Sequence, residues 1–315
     1  MSANELQLVT GGAGFIGSNL VRRLAGQGAR VRVFDDLSSG HLENLAGLEA
    51  SVEFVRGDLR DAAAVRAAAR GVRHVFHVGA LASVQASVDD PAATHEINVT
   101  GTLNVLLAAR DAGAERVVVS SSASIYGDSP VMPKREDMLP APLTGYALSK
   151  LAGEHYGRIF HGLYGLKFFA LRYFNVFGPR QDPASHYAAV IPLFMRAYCA
   201  GRQPTIYGDG GQTRDFTFVE DVVSANLACL AAPDAAAGGV YNVAYGDRIS
   251  VNDLARQIAA LAGQPFAPTY APARPGDVRE SQADAALARR VLGWRPAHAF
   301  AEGLQATFDW FKDRF

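Results

Sequence analysis

Leu6-Gln7-Leu8-Val9-Thr10-Gly11-Gly12-Ala13-Gly14-Phe15-Ile16-Gly17 decides how this chain of 315 residues is read. An apolar run of strand length enters a glycine-rich turn, and a helical pattern continues from Phe15 to residue 26. The glycines let the backbone approach a pyrophosphate closely. The helix start adds unbonded N–H groups and a partial positive charge. The next strand ends in Val33-Phe34-Asp35-Asp36, about twenty residues beyond the glycines. A carboxylate there accepts the ribose hydroxyls of NAD and repels the extra phosphate of NADP, so NAD is the expected cofactor. Asp58, in Arg56-Gly57-Asp58-Leu59 at the end of a third strand, either faces the adenine or caps a helix.

Outward from this unit the pattern repeats. Strands are expected at residues 6–9, 30–34, 52–56, 74–78, 116–119 and 168–173, with helices at 15–26, 62–70, 92–112 and 146–164. Alternation of this kind predicts an α/β protein with a Rossmann-type doubly wound parallel sheet. Val117-Val118-Val119 is apolar on both faces, as a central strand covered on each side must be. After residue 175 the pattern loosens into helices near 190–200, 221–231, 252–261 and 283–292, separated by Pro/Gly/Asp loops. The expected organisation is a dinucleotide-binding domain over residues 1–175 and a smaller α/β substrate-binding domain over 176–315, their segments interwoven.

Composition narrows the function. Hydrophobic residues make up 49% and charged residues 19%, which excludes intrinsic disorder. Thirty basic residues against 31 acidic ones leave a net charge of -1, with no basic run to drive nucleic-acid binding. No apolar stretch approaches membrane-span length and no cleavable signal leads the chain, so a cytoplasmic protein is expected. Cys199 and Cys229 read as reduced core thiols. The eight histidines are dispersed, and His74 and His77 would face opposite sides of a strand, so no metal site is expected.

A second constellation is Tyr146-Ala147-Leu148-Ser149-Lys150, which sets a phenol and an ammonium one turn apart on one helical face. A free tyrosine titrates near ~10 and acts as a base at neutral pH only if positive charge stabilises its phenolate. Lys150 is expected to supply that charge together with a cationic nicotinamide ring. Ser122, at the end of the central strand, sits where ligands bind in open α/β sheets.

These residues, with Ser120-Ser121-Ser122-Ala123-Ser124-Ile125-Tyr126-Gly127, Arg172-Tyr173-Phe174-Asn175, Gly208-Asp209-Gly210, Arg214-Asp215-Phe216 and Arg274-Pro275-Gly276-Asp277, resemble the extended short-chain dehydrogenase/reductases. Within that family they look like the nucleotide-sugar 4-epimerases. The resemblance implies Ser122, Tyr146 and Lys150 as a catalytic trio. It implies NAD against Gly11, Gly14, Phe15, Ile16, Gly17, Asp35, Asp58, Leu59, Val78, Gly79, Ala80, Tyr146, Lys150 and Tyr173. It further implies a UDP-sugar held by Ser83, Ser122, Ser124, Tyr146, Asn175, Ala189, Val190, Thr205, Tyr207, Arg214, Arg274 and Ser281, the two arginines meeting the phosphates as planar forks.

The implied reaction oxidises sugar carbon 4 to a ketone and returns the hydride to the opposite face, with no net redox change. Related dehydratases carry Asp and Glu after the catalytic Ser/Thr, and decarboxylases a Glu; Ala123 and Ser124 stand here, which favours epimerisation. Ala188-Ala189-Val190, Ala82 and a small Ser281 resemble the subgroup that accepts N-acetylhexosamines. UDP-GlcNAc/UDP-GalNAc is therefore the expected pair, with UDP-Glc/UDP-Gal also admitted. A UDP-glucuronate 4-epimerase is the alternative enzyme, ranked lower because Ser83-Val84-Gln85-Ala86-Ser87 brings no extra arginine. A non-catalytic NAD-sensing scaffold is the alternative outside catalysis, although such proteins commonly lose the Tyr or Lys. Long apolar helices at 92–110 and 146–164 lead to the expectation of a homodimer built on a four-helix bundle.

Overall fold

In the computed structural model, which describes residues 5–183, 189–273 and 279–314, the alternating half folds as β1 (Leu6–Thr10), α1 (Phe15–Gly26), β2 (Arg30–Asp35), β3 (Val52–Arg56), α2 (Ala62–Ala68) and β4 (His74–His77). It continues through α3 (Val84–Asp89), α4 (Pro91–His95), α5 (Gly101–Asp111), β5 (Arg116–Ser122), α6 (Gly145–Tyr164) and β6 (Lys167–Tyr173). Beyond these come β7 (Val176–Phe177), α7 (Val190–Cys199), β8 (Thr205–Tyr207), β9 (Thr213–Arg214), β10 (Thr217–Phe218) and α8 (Val219–Ala231). The chain closes with β11 (Gly239–Val243), β12 (Ile249–Ser250), α9 (Val251–Leu261), β13 (Thr269–Ala271), α10 (Ala286–Leu292) and α11 (Phe300–Lys312).

Seven strands form one parallel sheet in the order β11-β6-β5-β4-β1-β2-β3. The order reverses at β1, between β2 and β4, which is where such sheets open a crevice for ligands. The glycine loop lies there. On one face α1 and α8 press Leu20, Leu24, Val222 and Val223 against Val9, Val33, Phe169 and Leu171. On the other, α2, α5 and α6 press Val65, Leu106 and Phe160 against Val75, Val117 and Phe168. As its sequence requires, β5 is flanked by β4 and β6, with Val117, Val118 and Val119 buried.

Besides the short strands β7–β10, β12 and β13, the following features differ from the expected elements. The central strand runs on through Ser120, Ser121 and Ser122, because β6 pairs with it as far as Tyr173. The helix expected at 92–112 is interrupted by a π-helical turn, Glu96–Thr100. Inside that turn the Asn98 side chain accepts from the Leu81 N–H at 2.8 Å and donates to the Leu81 carbonyl at 3.1 Å. A polar side chain bound to another segment explains the widened turn. Strand β11, hidden in the sequence by its leading glycine and by Asn242, comes from beyond residue 176 and pairs with β6. Helices α3 and α11 were also unforeseen.

The later residues form their own apolar centre, where α7, α9 and α11 gather Phe194, Tyr198, Leu254, Ile258, Leu304 and Phe308 around Phe177 and Phe216. Cys199 and Cys229 are free thiols. Among the described residues no helix is long and apolar enough to cross a membrane.

Candidate active site

The glycine loop is shaped by what a side chain would strike. Gly11 has φ +68°, and a Cβ on it would lie 2.5 Å from the Gly79 Cα. A Cβ on Gly17 would overlap the Gly11 carbonyl oxygen. Val78 and Gly79 donate their N–H groups to the Thr10 carbonyl, at 3.2 and 2.9 Å, so the two strand ends form one bare backbone surface. Gly14 is the N-cap of α1 and no side chain closes the first turn, which begins with Phe15 and Ile16. This cradle fits a dinucleotide pyrophosphate.

Asp35 is buried at the end of β2. Its carboxylate accepts from the Ala13 N–H at 3.0 Å and the Leu37 N–H at 2.9 Å, bracing the loop from behind. Burial pushes its pKa up and these two N–H groups oppose the shift. With two of its lone-pair sites used, the carboxylate retains acceptor capacity for ribose hydroxyls. Asp58 is clamped by Arg60 at 2.6 Å, which holds it below the usual carboxylate range. Asp61, not Asp58, caps α2. Leu59 packs beneath Gly79 and Gly101. Tyr173 turns its hydroxyl to Asn226, on the α8 side of the sheet.

The trio comes together at the C-terminal edge of β5. Thr144 caps α6 through the Ala147 N–H, which places Tyr146 in the first turn, with Ser122 as the side chain that opposes its upward pKa shift. Ser124 donates to the Ser122 Oγ twice, from its N–H at 3.2 Å and its hydroxyl at 2.9 Å. The Ser122 proton is thereby left to be given to Tyr146 or to a bound oxygen. Lys150 donates from Nζ to the Ser120 carbonyl at 3.0 Å and the Ser120 hydroxyl at 3.2 Å, and burial pushes it down to about 8.

Burial raises Tyr146, and Ser122 opposes the shift. The Lys150 Nζ lies 5.9 Å from the Tyr146 ring centre while it donates to Ser120.

Behind the trio runs a buried polar chain that the sequence reading missed. His77 Nδ1 meets the Thr10 hydroxyl at 2.7 Å and Nε2 meets the Thr102 hydroxyl at 2.9 Å. Thr102 donates to the Asn98 carbonyl, Asn98 Nδ2 donates to Ser149, and Ser149 donates to the Tyr146 carbonyl. Full burial pushes His77 down to about 3, so it is neutral. The residues concerned lie in His77-Val78-Gly79-Ala80 and in the Asn98–Thr102 stretch, but nothing in their spacing joins them.

Just beyond the end of β6 opens a cavity of about 500 Å³. Asn175, Ala189, Val190, Thr205, Tyr207 and Arg214, all expected at the substrate, line it. Val84, Phe177, Gln181, Phe194, Gln212 and Phe216 also line it and were not foreseen, because apolar and amide residues on short elements read as core. Asn175 links the cavity to the trio: it follows Tyr173 by two positions, and Tyr173 pairs in register with Ser122. Asn175 Nδ2 donates to the Asp215 carbonyl at 2.9 Å and lies 3.5 Å from the Ser281 hydroxyl. Ser281 thus adjoins the cavity's wall; α10 begins at Ala286 with Ala285 as its N-cap, so Ser281 does not cap that helix. Ser83 instead caps α3, its hydroxyl accepting from the Ala86 N–H at 3.0 Å. Arg274 and Ala188 lie outside the described residues.

A family model described as the NAD dependent epimerase/dehydratase family matches residues 7–244. The chain belongs to that family. NAD is accordingly its cofactor, and the glycine cradle with Asp35 fits it. Among curated relatives of this epimerase/dehydratase chain, a UDP-glucose 4-epimerase from Mycolicibacterium smegmatis is 44% identical over 98% of both chains. Among solved structures, a UDP-N-acetylglucosamine 4-epimerase from Methanobrevibacter ruminantium M1, in complex with UDP-N-acetylmuramic acid, is 38% identical with a TM-score of 0.94, over 99% of both chains. A UDP-glucose 4-epimerase from Thermus thermophilus, in complex with NAD, is 39% identical with a TM-score of 0.89, covering 98% of this chain and 100% of that one.

Proposed function

We propose that this protein is a UDP-sugar 4-epimerase that interconverts UDP-GlcNAc and UDP-GalNAc and also accepts UDP-Glc and UDP-Gal. The observation that carries the reading is the convergence of Ser122, Tyr146 and Lys150 at the end of β5, where Ser122 pairs in register with Tyr173, two positions before the cavity residue Asn175, followed by Ala123 and Ser124 where water-eliminating relatives need acids. When bound, NAD supplies a hydride acceptor and a cationic ring. Tyr146 takes the proton of the carbon-4 hydroxyl and returns it after the sugar has turned over. Ser122, oriented by Ser124, donates its proton to the reacting oxygen. Lys150 holds the nicotinamide ribose from its post on Ser120. Asn175, Ala189, Val190, Thr205, Tyr207 and Arg214 hold the UDP, and Arg274 joins Arg214 on the phosphates.

The N-acetyl preference is supported by Ser281, a small residue within 3.5 Å of Asn175. A homodimer is supported by Leu148, Ile159 and Leu163, which lie exposed along α6. Their spacing gives the helix a second apolar stripe, suited to an isologous contact. Light scattering of the purified protein at micromolar concentration should give a dimer, and a monomer alone would refute that part.

The direct test is incubation with separate UDP-sugars resolved by NMR. Conversion of UDP-GlcNAc to UDP-GalNAc is the expected result. Conversion confined to UDP-glucuronate, or loss of water to a 6-deoxy-4-keto product, would overturn the reading.

A further inference from the structure

Three serines end β5, and each meets a different residue of one helix. Ser122 faces Tyr146 and opposes its upward pKa shift, Ser120 accepts from Lys150, and the Ser121 hydroxyl donates to Glu154 Oε1 at 2.5 Å. Tyr146, Lys150 and Glu154 follow one another at intervals of four, on a single face of α6. The first two belong to the proposed chemistry. Glu154 lies a turn deeper, and its hydrogen bonds among the described residues go to Ser121 and Arg172, neither of them among the residues proposed for cofactor or substrate.

Its other partner is Arg172 on β6, which donates to the carboxylate from Nε at 2.9 Å and from Nη2 at 2.7 Å. Both side chains are buried, at 2% and 3% exposure. Arg172 continues to the Tyr126 hydroxyl at 2.8 Å, its guanidinium 4.8 Å from that ring's centre, and Tyr126 donates to Asn242 on β11 at 2.7 Å. The ion pair therefore ties α6 to β5, β6 and β11 at once.

Stability alone gives a weak reason for this arrangement. A buried ion pair is often replaceable by apolar residues without loss, and its best-attested use is to fix register. Elsewhere α6 is held by single-donor contacts, Lys150 on Ser120 and Asn98 on Ser149, and by close packing of Gly157 on the Phe168 ring and of Gly153 beside Thr102. Contacts of this kind constrain sliding and turning of a helix less than a planar, two-pronged fork does.

We infer that Glu154 and Arg172 are positioning residues, setting the register of α6 so that Tyr146 meets Ser122 and Lys150 meets Ser120. The inference rests on the reading of Tyr146 as the base. A shift of about 1 Å at a reacting group is enough to cost roughly 10²-fold in rate.

The test uses the full chain loaded with NAD. Glu154→Met combined with Arg172→Met replaces the pair by apolar residues of similar length, and Glu154→Gln keeps the shape while removing the charge. Melting temperature, bound NAD, kcat and KM are measured for each. The expected result for the double variant is a folded, NAD-loaded protein with KM near wild type and kcat down by about 10²-fold. Glu154→Gln should lose kcat in the same direction and to a smaller extent. Wild-type kcat per NAD-loaded molecule in the double variant overturns the inference, as does a loss that falls on KM alone. Should the double variant not fold, Glu154→Gln decides by the same criteria. Tyr146→Phe, run alongside, separates the two claims: if it stays active, the base assignment fails, whereas a dead Tyr146→Phe beside an unimpaired pair variant sinks the positioning role alone.

Discussion

The glycine cradle and the cavity proposed for the sugar are built on different principles. The cradle is made of backbone. Gly11 and Gly17 are there because a Cβ would strike Gly79 or the Gly11 carbonyl, and even Asp35 gives two acceptor sites to backbone N–H groups, those of Ala13 in the loop and of Leu37 just after β2. The cavity is made of side chains delivered by short elements, β7, β8, β9 and the start of α7, which do not pair with the main sheet. A backbone site tolerates almost no substitution and keeps one ligand. A side-chain site can change its ligand through one residue while the fold stays put.

The sharpest way to break this contrast lies in the trio. Tyr146→Phe should retain NAD and UDP-sugar and lose epimerisation by about 10²–10⁴-fold, the usual worth of a general base. Steady-state rates beside the stoichiometry of bound NAD check it.

Within the cradle, Gly17→Ala places a methyl group on the Gly11 carbonyl oxygen. Overpacking of a fitted site costs about 1–3 kcal/mol, or about 5- to 150-fold in affinity, and this backbone clash should reach the upper end. NAD retention through gel filtration should fall, while the ratio of rates on N-acetylated and plain sugars in excess NAD stays as in wild type. Within the cavity, Ser281→Tyr should do the reverse. It should depress kcat/KM on UDP-GlcNAc by about 5- to 150-fold against UDP-glucose, with NAD retention unchanged. An unchanged ratio would remove the case for the N-acetyl substrate.

These two substitutions also mark how far the sequence could be read. Residues whose reason is steric and local were legible: the glycines of the loop, the strand ending at Asp35, the paired Tyr146 and Lys150. Cavity residues such as Phe177, Gln212 and Phe216 were not, because an aromatic or amide reads the same in sequence whether it faces a core or a ligand. Long-range polar chains were equally silent. Nothing local joins Thr10, His77 and Thr102, or tells that Lys150 donates to Ser120. Strand β11 escaped because its partner β6 is remote in sequence.

The smallest effect belongs to that hidden chain. His77 is neutral when folded, its pKa pushed down to about 3, whereas in the unfolded chain it titrates near ~6.5. Between these values the unfolded state binds the extra proton, so stability is lost as pH falls from 6.5 toward 3. The slope from this one group approaches ~1.4 kcal/mol per pH unit. Urea midpoints at pH 7 and pH 5 should therefore drop more in wild type than in His77→Gln; equal drops would mean that His77 is not held neutral.

The most direct test of the central claim, that hydride leaves and returns at sugar carbon 4 while Tyr146 handles only the hydroxyl proton, is epimerisation in D2O followed by proton NMR. The account predicts that UDP-GalNAc formed from UDP-GlcNAc keeps its full complement of hydrogen at carbon 4. Deuterium at carbon 4 would show that the hydrogen exchanges with solvent as a proton, and would contradict the mechanism outright.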